Sequence, residues 1–189
     1  MPRTDNIYQL PDNLPLPVDD GACNHLPGLR LPLIALSATS GGKVDLSSLA
    51  GTTVLYCYPR TGRPDQELPP GWNDIPGARG CTPQSCAFRD HHQELRRLSA
   101  CVFGLSTQTT EYQQEAAQRL HLPFALLSDG ELQFVSALRL PTFEVGGMTL
   151  TKRLTLIVRD GRIVKVFYPV FPPDQNAEQV INWLSRNPA

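Results

Sequence analysis

No apolar run in this sequence reaches membrane-spanning length, and neither sign of charge prevails. Lys and Arg number 17 against 18 Asp and Glu, a formal net charge of −1. The first absence argues against a spanning helix in these residues. The second leaves no basic footprint for nucleic acid or for an anionic membrane surface. Residues 1–6 hold no apolar stretch of the kind that opens a secretory signal, so the cytoplasm is the expected compartment. A Cys-x-x-Cys pair is missing as well, and the five cysteines (23, 57, 81, 86 and 101) are odd in number. A structural disulfide framework is therefore not expected, and catalytic or buried thiols are.

What is abundant is proline, at 18 of 189 residues, about twice the usual roughly 5%. The prolines crowd into the first 30 positions and into 59–83. With 41% hydrophobic and 19% charged residues, the chain suits one domain with a sizeable core. We divide it into a proline-rich N-terminal arm, 1–27, and a folded domain, 28–189, interrupted by an insert at 60–80. Loops of that length in compact domains usually serve a function.

Periodicity predicts a small hairpin from 31–36 and 43–45, then a continuous apolar run at 53–58 that suits a central strand covered on both faces. A helix follows the insert, with Thr82 as N-cap, Pro83 in its first turn, and Phe88, His92, Leu95 and Leu98 on its apolar face. Residues 102–106 read as a strand. A helix capped by Thr110 and Gln113 comes next, with Tyr112, Ala116 and Leu120 inward. A third strand at 124–127 precedes a short helix opened by Ser128 and Glu131. Strands at 154–158 and 163–167 flank Asp160-Gly161, a strong two-residue turn signal. A final helix is capped by Asp174 and buries Ala177, Val180, Ile181 and Leu184. This order describes an α/β fold, a central mixed sheet with helices on both faces.

The chemistry concentrates in Gly80-Cys81-Thr82-Pro83-Gln84-Ser85-Cys86. A thiol at a helix start faces free backbone N–H groups and the positive end of the dipole, which favour a thiolate. Lowering an ordinary thiol from ~8.5 to near 6 needs about 3 kcal/mol, and a helix terminus supplies at most ~2 kcal/mol. A cation is needed as well, and arginine suits because it stays charged and offers a fork of donors. Arg79 and Arg89 are the local candidates and Arg153 a distant one. If both cysteines sit in regular helix, five steps separate them by ~7.5 Å along the axis. That exceeds the reach of a disulfide, about 4.4–6.8 Å between Cα atoms, so the first turn must unwind before Cys86 can meet Cys81.

Bland alternatives exist for each residue. Gly and Pro flanks argue against Cys81 and Cys86 as inert core thiols. Cys57 and Cys101, in apolar strands, are expected to be buried, and Cys23 to be a dispensable thiol of the arm. The four residues between Cys81 and Cys86 are the wrong spacing for a zinc knuckle, so His91 and His92 read as a packed or solvent-facing pair. Trp72 reads as a loop anchor. No cofactor or metal is expected.

Taken together, Tyr58-Pro59, Gly80-Cys81-Thr82 with Gln84 and Cys86, Arg89-Asp90, Leu105-Ser106-Thr107, Leu127-Ser128-Asp129 and Arg153-Leu154-Thr155-Leu156-Ile157 resemble a Q-type (bacterioferritin-comigratory type) peroxiredoxin of the redoxin superfamily. The resemblance spans roughly 28–186. It implies a thioredoxin-like fold, with Cys81 as peroxidatic cysteine, Cys86 as intrahelical resolving cysteine and Arg153 as partner of thiolate and peroxide. It also implies a thiol-dependent peroxidase that takes a hydroperoxide and is recycled by thioredoxin or a similar dithiol. A monomer or homodimer is expected. The sequence departs from the family at Ala78, where a hydroxyl residue usually stands three positions before the cysteine; Thr61, after Pro59, is the candidate substitute. The insert is open to three readings: it narrows the pocket, admits a larger hydroperoxide, or builds a subunit contact. Two other functions remain in view, a protein thiol-disulfide oxidoreductase and a non-catalytic redox sensor using the same pair.

Overall fold

The computed structural model describes residues 5–188; the first four residues of the arm and the last residue of the chain lie outside them. Seven strands form one mixed sheet: β1 (Ala35–Ala38), β2 (Lys43–Asp45), β3 (Thr52–Cys57), β4 (Ala100–Ser106), β5 (Leu126–Ser128), β8 (Leu154–Arg159) and β9 (Arg162–Phe167). A separate hairpin pairs β6 (Thr142–Val145) with β7 (Met148–Thr151). The sheet order is β2-β1-β5-β4-β3-β8-β9, with β3, β4 and β5 parallel and the remaining pairs antiparallel.

The apolar run around residue 55 lies mid-sheet as β3, buried at every position. Alternation sends Leu55 and Cys57 to one face and Val54, Tyr56 and Tyr58 to the other. The first face packs with Phe134, Val135 and Leu138 of α4 (Gln133–Leu138). Its opposite packs with Phe88 of α1 (Cys81–Asp90), Leu95 of α2 (His92–Arg97), and Ala177, Val180, Ile181 and Leu184 of α5 (Asn176–Arg186). The expected α/β architecture, a central mixed sheet covered by helices on both faces, is therefore present.

Several local expectations are corrected. Helix α1 opens at Cys81, not after Thr82, because Gly80 is its N-cap in the left-handed region, with φ 104°. The expected long helix breaks at His91 into α1 and α2. In α3 (Thr110–Arg119) the cap is Thr109, whose hydroxyl accepts from Tyr112 N, and Gln113 rather than Tyr112 is buried. Neither Ser128 nor Glu131 caps α4; both carboxylate oxygens of buried Asp129 accept from Phe134 N and Val135 N instead. Asp174 lies in a 3-10 turn, Pro173–Gln175, and supplies no side-chain cap to α5. The β6–β7 hairpin has no counterpart in the periodicity reading. Between β8 and β9 the turn is as expected, Asp160 and Gly161 having φ 46° and 74°.

Candidate active site

Gly80 accounts for where the site begins. Its φ of 104° is one that L side chains rarely adopt, and a Cβ there would collide with Pro173 and with Leu10 of the arm. A non-glycine residue is excluded on both counts. The turn delivers Cys81 as the first residue of α1, only 3% exposed, among the unsatisfied N–H groups of the first turn.

The cation comes from the far end of the chain. Arg153, between β7 and β8, is also 3% exposed. Its Nη2 lies 3.2 Å from Cys81 Sγ and donates to the carbonyls of Ala78 and Arg79, each at 3.1 Å. Nε donates to Gly77 O at 3.3 Å, and Nη1 is paired with Gln84 Oε1. Three backbone carbonyls and one amide thus hold the guanidinium plane, and Nη2 shares its two hydrogens among the Ala78 and Arg79 carbonyls and the sulfur. A lysine's point charge has no such fork. Cys81 Sγ in turn donates to Ala78 O at 3.7 Å.

The two nearer arginines do other work. Arg79, 6% exposed, pairs with Asp5 of the arm and donates to Asn73 Oδ1 at 3.3 Å. Arg89 pairs with Asp90 at 2.8 Å and donates to Leu120 O at 3.0 Å. Thr61, the candidate substitute hydroxyl, is fully buried and donates through both its N and Oγ1 to Gln108 Oε1, at 2.9 and 3.2 Å.

Cys86 is half-buried further along α1, and both cysteines are free thiols. Five helical steps turn it by ~140° from Cys81 as well as displacing it ~7.5 Å. Burial pushes its thiol above the ordinary value, with Arg89 acting in the opposite direction.

Behind these residues runs a buried polar chain whose far end the sequence did not disclose. Gln84 Nε2 donates to Asn176 Oδ1 at 3.0 Å, and Thr155 Oγ1 donates to the same oxygen at 2.7 Å. Gln84 and Thr155 stood among the quoted motifs; Asn176 did not, because its place at the start of α5 is 92 residues from Gln84. Nothing in the local sequence marked it, since the burial of Asn176 at the first position of α5 comes from the fold. Further support comes from Tyr56 Oη, 3.1 Å from Ser85 Oγ, and from Tyr58 Oη, which donates to Gln113 Oε1 at 2.6 Å.

The remaining cysteines divide otherwise than expected. Cys57 is fully buried. Cys101 is exposed, because alternation along β4 turns it outward between buried Ala100 and Val102. Cys23 is 5% exposed within the main core, its thiol pushed up to about 12 chiefly by burial. His91 pairs with Glu94 at 3.2 Å, and His92 packs on Phe124 with ring centroids 5.7 Å apart. Trp72 is an anchor: 3% exposed, clustered with Ala78 and Leu150, its ring 6.2 Å from Phe143 of β6. No helix among the described residues is long and apolar enough to cross a membrane.

The chain is similar to known proteins along most of its length. The Redoxin family model matches residues 26–181. Peroxiredoxin Bcp of Bacillus subtilis is 30% identical over 156 residues, covering 80% of this chain and 90% of that protein. The chloroplastic peroxiredoxin Q of Sedum lineare is 29% identical over 159 residues, 83% of this chain and 76% of the relative. Among solved structures, peroxidoxin BcpB from Mycobacterium tuberculosis superposes with a TM-score of 0.71 at 24% identity, over 87% of this chain and all of that one, which speaks to the fold.

Proposed function

The chain belongs to the redoxin family and is a peroxidase of the Q-type peroxiredoxins, and from that premise we propose that Cys81 is its peroxidatic cysteine, Arg153 its activating cation and Cys86 its resolving partner. One observation carries this reading: Arg153 Nη2 stands 3.2 Å from Cys81 Sγ at the N-terminus of α1. A guanidinium donor there suits a sulfur that reacts as an anion, and its positive charge also favours a departing oxygen as negative charge develops on it.

The chemistry then runs in three balanced steps. Cys81 thiolate attacks one peroxide oxygen, the O–O bond breaks, and the other oxygen leaves as alkoxide or hydroxide and takes up a proton. Sulfur has lost two electrons and is a sulfenic acid. In the second step Cys86 attacks that sulfur, expelling its hydroxyl as water and forming the Cys81–Cys86 disulfide. A dithiol of the thioredoxin kind then reduces the bond, becoming a disulfide itself.

The second step cannot proceed from the regular α1 helix, since Cys81 and Cys86 lie too far apart along it. We infer that the first turns of α1 unwind after oxidation. This also removes the burial that holds Cys86 protonated. The fold favours such opening, because α1 begins beside the irregular segment and breaks early, at His91. The peroxidase reading requires that Cys81→Ser abolish peroxide consumption with a dithiol reductant. Cys86→Ser should leave the first turnover intact and accumulate sulfenic acid; mass spectrometry showing Cys81 linked to another thiol would overturn the assignment of Cys86.

A further inference from the structure

The space over Cys81 is small and its walls come from segments beyond the core elements. It is a cavity of about 20 Å³, bounded by Ile7 of the arm, Leu68 and Trp72 of the insert, Arg60, and the start of α1. One water needs roughly 10–15 Å³ by the same measure. The space within the walls therefore takes a water or a two-oxygen molecule, and an alkyl or aryl group has to stay outside the walls or displace them.

Both movable walls are held in place. Trp72 packs with Ala78 and Leu150 and against Phe143. Arg60 lies over the Tyr112 ring at 5.1 Å and donates to Tyr112 Oη at 3.0 Å. The arm that carries Ile7 is tied to the site by the Asp5–Arg79 pair and by Leu10, which crowds Gly80. Ile7 itself is only partly buried. Arg60, Arg79 and Thr82 complete the lining beside Ile7, Leu68 and Trp72, so the cavity is polar enough for hydrogen peroxide and offers an organic hydroperoxide little apolar contact in return for displacing its walls.

Resting on the peroxidase reading, we propose that this chain selects hydrogen peroxide over bulky organic hydroperoxides, and that Ile7 and Trp72 are the residues that set the selection. The insert narrows the pocket, and the arm completes the closure.

The test compares kcat/KM for hydrogen peroxide and cumene hydroperoxide on the full chain, with dithiothreitol as reductant. The unsubstituted protein should prefer hydrogen peroxide by a factor on the order of 100, the discrimination that exclusion from a tight pocket provides. Ile7→Ala and Trp72→Ala should each shift the ratio toward cumene hydroperoxide about tenfold. Ile7→Ala removes a partly exposed side chain of the arm and leaves the core intact, so it keeps the test decisive should Trp72→Ala unfold. Equal turnover of the two peroxides, or an unchanged ratio in Ile7→Ala, overturns the proposal. Failure to consume hydrogen peroxide above the Cys81→Ser level overturns the peroxidase reading itself.

Discussion

Gln84 Nε2 donates to Asn176 Oδ1 across 3.0 Å of buried space, joining the active-site helix to the first residue of α5. With Thr155 Oγ1 donating to the same oxygen, only the acceptor end of Gln84 is left to face Arg153. The arrangement leaves Asn176 Nδ2 buried without a partner among the described residues. Asn176 is thus a positioning residue, acting on the guanidinium through Gln84.

Replacing Asn176 by Leu strands two buried donors, at about 1–3 kcal/mol of stability each. It also frees the Gln84 amide to turn its nitrogen toward Arg153. We expect kcat/KM for peroxide to fall about tenfold, the kind of loss that a small displacement of a positioned group causes. A loss of stability with kcat/KM unchanged would reduce Asn176 to a packing role.

At Arg153, a lysine keeps the charge but cannot bond three carbonyls, Gln84 and sulfur together. Arg153→Lys should lower the single-turnover rate of sulfenic acid formation by on the order of 100-fold, the loss expected when one donor to a developing charge is removed. Arg153→Gln should do at least as much. Stopped-flow measurement against peroxide concentration checks both, and a Lys variant within a few-fold of the parent would remove the fork from the mechanism.

Gly80→Ala tests the backbone. The left-handed φ and the collisions with Pro173 and Leu10 act together, so denaturant unfolding should show a loss of more than about 1 kcal/mol. Peroxidase activity should fall further than stability explains, because displacement of Gly80 moves Cys81 directly.

Alkaline titration tests the buried thiols. Cys23 is raised in the folded state to about 12 from an ordinary 9.0, so folding favours its neutral form. That contribution is whole below about 9.0 and is lost as pH rises toward about 12. The melting temperature should decline through this window, and Cys23→Ala should flatten the decline. Cys57, shifted upward by its own burial, keeps some slope in the variant. An identical slope in parent and variant would contradict the assignment.

Much of this protein is written locally. The six-residue apolar run that became β3, the Asp160-Gly161 turn and the 3.6-residue period of α5 declare themselves because each is decided by neighbours within a turn or a strand. So, to within two residues, does the helix start beside the thiol, since Pro83 suits a first turn, although the cap is Gly80 and not Thr82. What the sequence by itself could not settle was every pairing between distant segments. The cation was chosen among Arg79, Arg89 and Arg153 by where the β7–β8 junction crosses the sheet, and Arg79 went to the arm instead. The β6–β7 hairpin is half-exposed and short, and it makes sense only once Trp72 is there to pack on Phe143. Exposure of Cys101 and burial of Cys23 followed from which face each met, something composition around them does not encode. Local propensity placed Cys81 at the start of a helix; long-range packing brought Arg153, the amide chain behind it and the surrounding walls to that sulfur.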